Sequence, residues 1–196
     1  MNLGTLLGIY RYPVKSLRGE PLGQTYLDEN GLEGDRERAI IESSGPRAGK
    51  PRRGKEHPEM HLVERAGEAA FSDERYFDDS PVSLIVDRWL DGLSSHVGYR
   101  VEYQRFRPNF FVASTADVPD EAALTGRELT LGEVVLRVRY PIERCVVTTY
   151  DLKGGQADPR ILRYLAQERS ASMGIYCDVP RAGIVRIGDS LSLIER

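Results

Sequence analysis

The sequence predicts a mainly β fold with a few helices, in which the strands form a closed or partly closed barrel. Strand-like runs outnumber helical segments by about three to one, and closely spaced Pro and Gly residues keep those runs short. No crossover helices separate the last three runs, as a parallel sheet would require. A chain of 196 residues suits one sizeable core rather than two independent domains, so we expect one compact unit.

The N-terminal part of the chain is predicted to contain short strands joined by turns. Pro and Gly interrupt the apolar runs between residues 3 and 27, which favours strands over helices. Asn30-Gly31 indicates a hairpin turn because this pair tolerates positive φ, and residues 36–42 (RERAIIE) would form the next strand. The stretch 45–58 combines basic residues with prolines and lacks apolar periodicity, so we expect a mobile surface loop there.

Helical periodicity is clear in two segments. The first runs from Asp87, the predicted N-cap, to Gly98, the predicted stop. The second runs from Asp158 to Ser170, with Asp158 as the cap and Pro159 at the first helical position. Their predicted buried faces consist of Trp89, Leu90, Leu93 and Val97 in the first segment and Ile161, Leu162, Leu165 and Ala166 in the second.

The C-terminal half is predicted to consist mainly of strands. Residues 128–141 (ELTLGEVVLRVRYP) alternate between apolar and polar side chains on either side of a Gly-Glu turn, which indicates a hairpin. After the second helix, three strand-like runs (GIYCDVP, AGIVRIG and DSLSLIE) are separated by Pro and Gly.

Composition and charge exclude several classes of protein. Hydrophobic residues make up 40% and charged residues 29% of the chain, as in folded soluble proteins. No apolar stretch reaches the roughly 18 residues of a membrane span, and no basic region precedes the N-terminal apolar run. A formal net charge of −3 gives no overall attraction to nucleic acid or anionic lipid. We therefore expect a cytoplasmic protein without nucleic-acid or membrane partners, in which any anion site is local.

Familiar phosphate, hydrolase and metal motifs are not found in the sequence. GPRAGKP lacks the spacing of a phosphate loop, and neither GxGxxG nor GxSxG occurs. His57 and His61 are predicted to lie on a strand, where their spacing separates the rings by roughly 13 Å, too far to share a metal ion. His96 is expected near the end of the first helix, as a surface or half-buried residue.

The two cysteines are candidates for chemistry. Cys145 and Cys177 form no CxxC pair, which suits a reducing compartment and argues against a disulfide scaffold or structural zinc site. Cys145 follows Arg144 and comes soon after Pro141, the predicted end of a strand, so a nearby cation could favour the thiolate. It is either a soft-metal ligand or nucleophile, or a small buried hydrophobe as free cysteines usually are. Cys177 lies in an apolar strand, which favours the buried alternative.

Three polar groupings are typical of anion sites: Lys15-Ser16 after a turn, Asp35-Arg36 at a strand start, and residues 105–109 (RFRPN). Such side chains bind phosphate or a pterin head group through charge-assisted hydrogen bonds. Taken singly, each grouping could instead belong to a surface ion pair or to a turn.

Six blocks of the sequence resemble, in order, those of the MOSC family, named after the C-terminal domain of molybdenum cofactor sulfurases, together with its N-terminal β-barrel region. They are IYRYPVKSLRG, GLEGDRERAIIE, KEHPEM, RFRPNFFV, ERCVVTTYD and GIVRIGDSLSL. The resemblance spans nearly the whole chain. It implies a pyruvate-kinase-type β-barrel, with an N-terminal β region over residues 1–78 and a MOSC core over residues 79–196.

The resemblance also implies a binding site for the molybdenum cofactor, molybdopterin. In family members the cysteine of the RC motif ligates molybdenum held by a pterin dithiolene, and that role falls here on Cys145, since soft sulfur ligands suit such a centre. The cofactor-binding residues implied are Lys15, Ser16, Arg36, Arg107, Asn109 and Arg144. Lys15 and Ser16 would hold the phosphate, whereas Arg107 and Asn109 would line the pterin site.

The chain departs from the family pattern in three places. Glu143 stands where several members carry Ser or another small residue that helps to bind the cofactor, and an anionic neighbour could repel the pterin phosphate. Leu17 replaces a cysteine that often follows the KS pair. The segment between the basic loop and RFRPN is shorter than in longer members, which would reshape the substrate side of the site.

The function implied is a molybdenum-dependent oxidoreductase that reduces N-hydroxylated or other N-oxygenated compounds. The chain has no iron–sulfur cysteine cluster or flavin-type glycine fingerprint, so electrons would come from a separate reductase or ferredoxin-like protein. One alternative is a non-catalytic carrier or sulfuration module for the cofactor. The chain has no pyridoxal-phosphate sulfurase domain, so a sulfur carrier would depend on another protein. A β-barrel with inert thiols is the other alternative.

Overall fold

The computed structural model describes residues 1–56, 60, 70–71, 76, 79–115 and 117–195. The strands in these ranges are β1 (Asn2–Arg11), β2 (Glu20–Leu22), β3 (Gln24–Asp28), β4 (Gly31–Leu32), β5 (Arg38–Ala39), β6 (Ala70–Phe71), β7 (Val82–Val86), β8 (Phe110–Ser114), β9 (Glu128–Leu131), β10 (Val134–Glu143), β11 (Ser172–Arg181), β12 (Gly183–Arg186) and β13 (Ser190–Leu193). The α-helices are α1 (Asp91–Val97) and α2 (Pro159–Glu168). Short 3-10 helices cover Asp87–Leu90, Tyr103–Phe106, Glu121–Leu124 and Val146–Thr149.

Seven of these strands form a closed barrel. Their order is β13, β9, β10, β11, β7, β8 and β1, and pairing of β1 with β13 closes the ring. β7 and β8 run parallel, whereas the other neighbours in the ring are antiparallel. The mainly β barrel predicted from the sequence is therefore confirmed, and closure pairs the strand edges that an open sheet would leave unpaired.

Alternating side chains fill the interior of the barrel. In β10, Val134, Leu136 and Val138 are at most 1% exposed, whereas Arg137 and Arg139, each one residue further along, are exposed. Burial of each such apolar side chain contributes roughly 1.5–3 kcal/mol. The resulting core fixes the strand ends and connecting turns that carry the candidate site.

The two predicted helices are present, and the start of the first one needs a correction. α2 begins at Pro159, and the Asp158 side chain caps it by accepting a hydrogen bond from Arg160 N. The predicted helix from Asp87 is instead a 3-10 helix followed by α1. The N-cap of that 3-10 helix is Val86 rather than Asp87, and the Asp87 carboxylate accepts hydrogen bonds from Arg88 N at 2.7 Å and from Ser114 N of β8 at 2.9 Å. Gly98 ends α1 with a φ of 82°, as its predicted role as a stop requires.

Two predicted strand boundaries are wrong. Only Arg38–Ala39 of residues 36–42 form a strand. The left-handed φ of 52° at Arg36 interrupts extended structure before it, and Ile41 beyond it forms only an isolated bridge with Pro51. β10 continues past Pro141 to Glu143. An irregularity in the register with β11 between these two residues is the kind of site at which a strand accommodates a proline without its N–H.

The N-terminal and C-terminal parts of the chain share the barrel. β1 pairs with β8 and with β13, so main-chain hydrogen bonds cross the expected boundary between residues 1–78 and 79–196. The division into those two regions stays a prediction. No helix in the described part of the chain is both long enough and apolar enough to cross a membrane.

Candidate functional site

A cavity of about 570 Å³ lies where most of the predicted site residues meet. Its lining includes Lys15, Ser16, Arg36, Arg107, Arg144 and Cys145. These residues come from four separate blocks of the sequence, and the fold brings them to one place. Asn109 differs from them because it is 0% exposed and lies beneath the lining, where its Oδ1 accepts a hydrogen bond from Arg36 Nη1 at 3.4 Å. That these residues bind a ligand stays a prediction.

The cavity is strongly cationic. Nine of its 21 described lining residues are Lys or Arg, and Glu143 is the one acidic residue among them. Like charges gathered on low-dielectric walls produce a local positive potential that attracts anions. Any anion site in a chain of net charge −3 was expected to be local, and this cavity is a candidate for it; that it binds an anion stays a prediction.

Three of the predicted residues hold a backbone conformation that is unusual for residues with a side chain. The φ angles are 67° at Ser16, 52° at Arg36 and 52° at Arg107. This left-handed region costs roughly 1–2 kcal/mol per residue, and such strain is concentrated at binding and catalytic sites. At Arg36 it is maintained by a hydrogen bond from Arg36 N to Tyr12 O at 2.8 Å.

A buried network holds Arg36 in place. The Asp35 carboxylate is 1% exposed, forms an ion pair with Arg36, and accepts hydrogen bonds from Tyr12 N at 2.6 Å and from Asn109 Nδ2 at 3.2 Å. Asn109 Oδ1 in turn accepts hydrogen bonds from Ser83 N and Oγ, both at 3.0 Å. A buried carboxylate requires this kind of compensation. Asn109 is thus a positioning residue behind the cavity rather than part of its lining.

The Tyr12 ring lies against both guanidinium groups of this region. Its centroid is 4.2 Å from the central carbon of Arg107 and 4.9 Å from that of Arg36, and its hydroxyl donates to Pro108 O at 3.1 Å. Burial raises the pKa of Tyr12 well above its ordinary value of 10.0, and the two arginines only partly oppose that rise. The neutral ring and the cations stabilise each other. We refer to Tyr12, Asp35, Arg36, Arg107 and Asn109 as the Asp35 network.

Cys145 is exposed at the start of the 3-10 helix Val146–Thr149. Its carbonyl accepts hydrogen bonds from Thr148 N at 3.2 Å and Thr148 Oγ1 at 3.0 Å, and Thr149 Oγ1 donates to Val146 O at 2.7 Å. The paired threonines of the RC-x-x-TT motif therefore stabilise the turn that presents the cysteine. The buried-hydrophobe alternative is wrong for Cys145.

Cys177 occupies the opposite environment. It lies in β11 and is 0% exposed, and burial raises the pKa of its thiol far above the ordinary range. A thiol without accessible surface and with a raised pKa is neither a nucleophile nor a metal ligand at neutral pH. Cys177 therefore packs in the core, as its apolar strand predicted.

Arg144 uses several of its donors within the protein. Its Nε donates to Met173 O at 2.8 Å, its Nη1 donates to Phe106 O at 2.9 Å, and its guanidinium lies 5.4 Å from the centroid of the Phe106 ring. These contacts tie the end of β10 to β11 and to the 3-10 helix Tyr103–Phe106. Arg144 thus holds the segment that carries Cys145, and it also lines the cavity; its predicted role in binding the cofactor stays a prediction.

The sequence analysis missed one side of the cavity. Four basic residues of the predicted mobile loop line it, and we refer to them as the basic wall: Arg47, Lys50, Arg53 and Lys55. Main-chain hydrogen bonds from Glu42 N to Lys50 O at 2.9 Å and from Arg52 N to Ile40 O at 2.8 Å hold this segment to the rest of the protein. The available signal was the cluster of basic residues at positions 47–55, which follows the DR block in the sequence.

Arg105 belongs to the RFRPN grouping predicted as anion-binding, although it was not among the predicted cofactor-binding residues. It is 7% exposed and lines both the cationic cavity and a second cavity of about 530 Å³. Its Nε donates to Glu102 Oε2 and its Nη1 to Thr149 O, both at 3.1 Å. Arg107 and Val147 also line both cavities, so the two spaces adjoin near Cys145.

The predicted histidine geometry lies beyond what the structure describes. His57 and His61 fall outside the described residues, and so does part of the KEHPEM block. Across the ranges that are described, no group of three or more His, Cys, Asp or Glu side chains is arranged to hold a metal ion.

The MOSC domain model matches residues 66–192, and the MOSC N-terminal beta barrel domain model matches residues 3–76. The first match alone covers well over half of the chain. This chain belongs to the MOSC domain family. The two matches follow one another along nearly all of this MOSC protein, which confirms the family resemblance seen in the six sequence blocks.

Among curated proteins, this MOSC protein is similar to the amidoxime reducing components. It is 30% identical over 127 residues to mitochondrial amidoxime reducing component 2 of Rattus norvegicus, a match that covers 58% of this chain and 37% of that protein. With mitochondrial amidoxime-reducing component 1 of Homo sapiens it shares 28% identity over 134 residues, covering 61% and 38% of the two chains. The matched region spans well under half the length of these relatives.

Solved structures resemble this MOSC protein along nearly its whole length. The YuaD protein of Bacillus subtilis superposes with a TM-score of 0.59 at 17% identity, covering 98% of this chain and 96% of that one. YiiM of Geobacillus stearothermophilus superposes with a TM-score of 0.53 at 12% identity, covering 98% and 74% of the two chains. At these identities the likeness establishes the shared fold.

Proposed function

We propose that this MOSC protein binds a molybdenum cofactor with Cys145 as the thiolate ligand of the metal. The observation that carries the proposal is an exposed cysteine on a cavity in which nine Lys or Arg residues accompany one Glu. Sulfur is a soft ligand of the kind that such a metal takes, and a pterin phosphate requires cationic and hydroxyl donors. The donor set therefore fits both ends of the cofactor.

Each lining residue has a part in this proposal. Lys15, Ser16 and Arg36 would bind the phosphate, and Arg107 would lie beside the pterin. Asn109 would act through Arg36, to which it is linked by Asp35. The left-handed backbone of Ser16, Arg36 and Arg107 supports a binding role, because strain of this kind persists where the surrounding structure holds a residue for a ligand.

We further propose that the protein reduces N-oxygenated compounds. The support is the similarity to proteins named amidoxime reducing components. When bound, the cofactor supplies two-electron chemistry, in which an N–OH group, two protons and two electrons give N–H and water. The chain has two cysteines in all, whereas an iron–sulfur cluster takes about four ligands. Electrons would therefore come from a separate reductase or ferredoxin-like protein.

Metal content tests the cofactor assignment. The full chain, purified from a host that makes the cofactor, should contain about one molybdenum per chain. Cys145→Ala should lose the metal because it removes the thiolate. Cys177→Ala should retain it, since that sulfur has no accessible surface. Molybdenum retained by Cys145→Ala, or lost only from Cys177→Ala, would contradict the assignment; elemental analysis of the folded variants decides between these results.

A second candidate function is a carrier or sulfuration module for the cofactor. The observation in its favour is Glu143, whose carboxylate is exposed on the cavity two residues before Cys145 and would oppose an anionic group there. The metal-loaded protein can be mixed with a reduced viologen dye and an amidoxime or an N-hydroxylated base. Substrate-dependent oxidation of the dye is expected from a reductase, whereas its absence with every such substrate would favour the carrier.

A further inference from the structure

The basic wall contributes more positive charge than a single phosphate needs. A phosphate group carries roughly −1.5 to −2 charges at neutral pH. Lys15, Arg36 and Arg107 already line the cavity, and the charge of Arg36 is offset by its ion pair with Asp35. The four residues of the basic wall come in addition, and they lie on a different segment of the chain.

The segment of the basic wall is fixed beside the other cations. The amide of Gly54 donates to Ser16 Oγ at 3.2 Å, which joins the segment directly to the Lys15-Ser16 turn. An isolated bridge pairs Ile41 with Pro51, and Gly49 N donates to Glu42 O at 2.9 Å. The cations of the wall are therefore held at the cavity by backbone contacts.

Two side chains of the wall are available to a ligand. Arg47 donates to Pro51 O at 2.7 Å and lies 3.5 Å from Glu56, and Arg53 lies 3.8 Å from the same Glu56. Lys50 and Lys55, in contrast, are exposed, and no carboxylate in the described part of the chain forms an ion pair with either ammonium group. Unpaired cations that line a shared cavity repel one another until an anion binds.

We propose that this cavity binds two anionic groups at the same time. One lies at Lys15 and Arg36, and the second, a phosphate-type group of the cofactor or of a substrate, lies at Lys50 and Lys55. The inference deepens the proposed function, since the first group would be the cofactor phosphate. The volume of about 570 Å³ is within the range of sites that hold whole small-molecule ligands, roughly 300–1,000 Å³. The second phosphate can come from a pyrophosphate link to a nucleotide on the pterin or from a phosphorylated substrate.

Anion binding to the full chain, purified from a host that does not make the cofactor, tests the two-group site without any metal. Calorimetric titrations with pyrophosphate and with inorganic phosphate are compared at one ionic strength. Pyrophosphate should bind about tenfold more tightly than phosphate, because its two phosphoryl groups engage both pairs of cations, Lys15 with Arg36 and Lys50 with Lys55. The double variant Lys50→Gln/Lys55→Gln should lose about that factor for pyrophosphate and change little for phosphate.

The matched control removes two positive charges away from the cavity. Arg137→Gln/Arg186→Gln lowers the net charge equally at side chains that are 54% and 48% exposed and do not line the cavity. It should bind pyrophosphate like the unmodified chain. An equal loss in the control, or an equal loss of phosphate and pyrophosphate binding in the lysine variant, would overturn the proposal, because either result would reflect overall charge alone.

The metal-loaded protein distinguishes the two sources of the second phosphate. Release of a nucleoside monophosphate from the extracted cofactor would identify a nucleotide-bearing pterin. If no nucleoside monophosphate is released, a higher kcat/KM for phosphorylated than for neutral N-hydroxylated substrates, lost in Lys50→Gln/Lys55→Gln, would identify a phosphorylated substrate as the source. If neither the nucleotide nor this preference is found, the inference is overturned. The two proposals can fail independently. If the cofactor-free protein binds pyrophosphate as expected but protein from a cofactor-making host contains no molybdenum, the proposed function is refuted and the two-anion site stands.

Discussion

The Asp35 network and the basic wall border the same cavity but are built in opposite ways. Asp35 and Asn109 are 1% and 0% exposed, and their side chains hydrogen-bond to Tyr12 N, to each other and to Ser83. Lys50 and Lys55 of the wall are exposed and have no ion-pair partner among the described residues. The comparison separates two tasks, because a buried network fixes the geometry of a site whereas exposed cations supply charge that a ligand can use.

Removal of the Asp35 carboxylate should have the largest effect. Asp35→Ala leaves Arg36, Asn109 and the amide of Tyr12 without their shared acceptor, and loss of one partner of a buried ion pair costs roughly 3–5 kcal/mol. The free energy of unfolding from urea denaturation should fall by about that amount.

The contrast with the wall makes this prediction specific. Asp35→Asn, which keeps one oxygen acceptor, should lose less stability than Asp35→Ala. Asp117→Ala, at an exposed position, and Lys50→Gln on the wall should each stay within about 0.5 kcal/mol of the unmodified chain. A small loss in Asp35→Ala would show that the network does not stabilise the fold as its contacts indicate.

The two cysteines also contrast a buried with an exposed residue, and smaller changes in the free energy of unfolding are expected from them. Cys177→Ala removes a fully buried sulfur from β11 and should lower the free energy of unfolding by about 1 kcal/mol. Cys145→Ala, at an exposed turn, should change it by less than about 0.5 kcal/mol. Chemical denaturation without the cofactor measures both, and the reverse order of effects would contradict the burial described for the two thiols.

Alkaline pH should lower the free energy of unfolding through Tyr12, because this phenol ionises more readily in the unfolded chain than in the Asp35 network. Burial raises the folded-state pKa of Tyr12 above its ordinary value of 10.0, so its stabilising effect is complete below that pH and is lost as the pH rises. Between about pH 8 and pH 11, urea midpoints should fall further for the unmodified chain than for Tyr12→Phe. Tyr26→Phe, at a side chain 51% exposed, should follow the unmodified chain, and equal falls in all three proteins would exclude a contribution from Tyr12.

Several elements could be predicted because their signals are local. The hairpin of β9 and β10 follows from strict alternation, and α2 follows from Asp158 and Pro159, which act within one turn of the helix. At Asp87 the prediction placed the N-cap one residue late, since Val86 is the N-cap. The Asp87 carboxylate also accepts a hydrogen bond from Ser114 on β8, a contact that no local pattern indicates. The end of β10 was mispredicted because pairing with β11 carries the strand past Pro141.

The sequence by itself determined the mainly β character of the chain, the order of the family blocks, and the residue types of the candidate site, because these depend on neighbouring residues and on side-chain chemistry. Only the tertiary structure decided which cysteine has an accessible sulfur, that Asn109 lies behind the cavity, and that a segment predicted as a mobile loop lines it with Lys50 and Lys55. The physical reason is that burial and the meeting of charges depend on contacts between segments far apart in the chain. The pattern of residues within one segment does not indicate which distant segments that segment will contact.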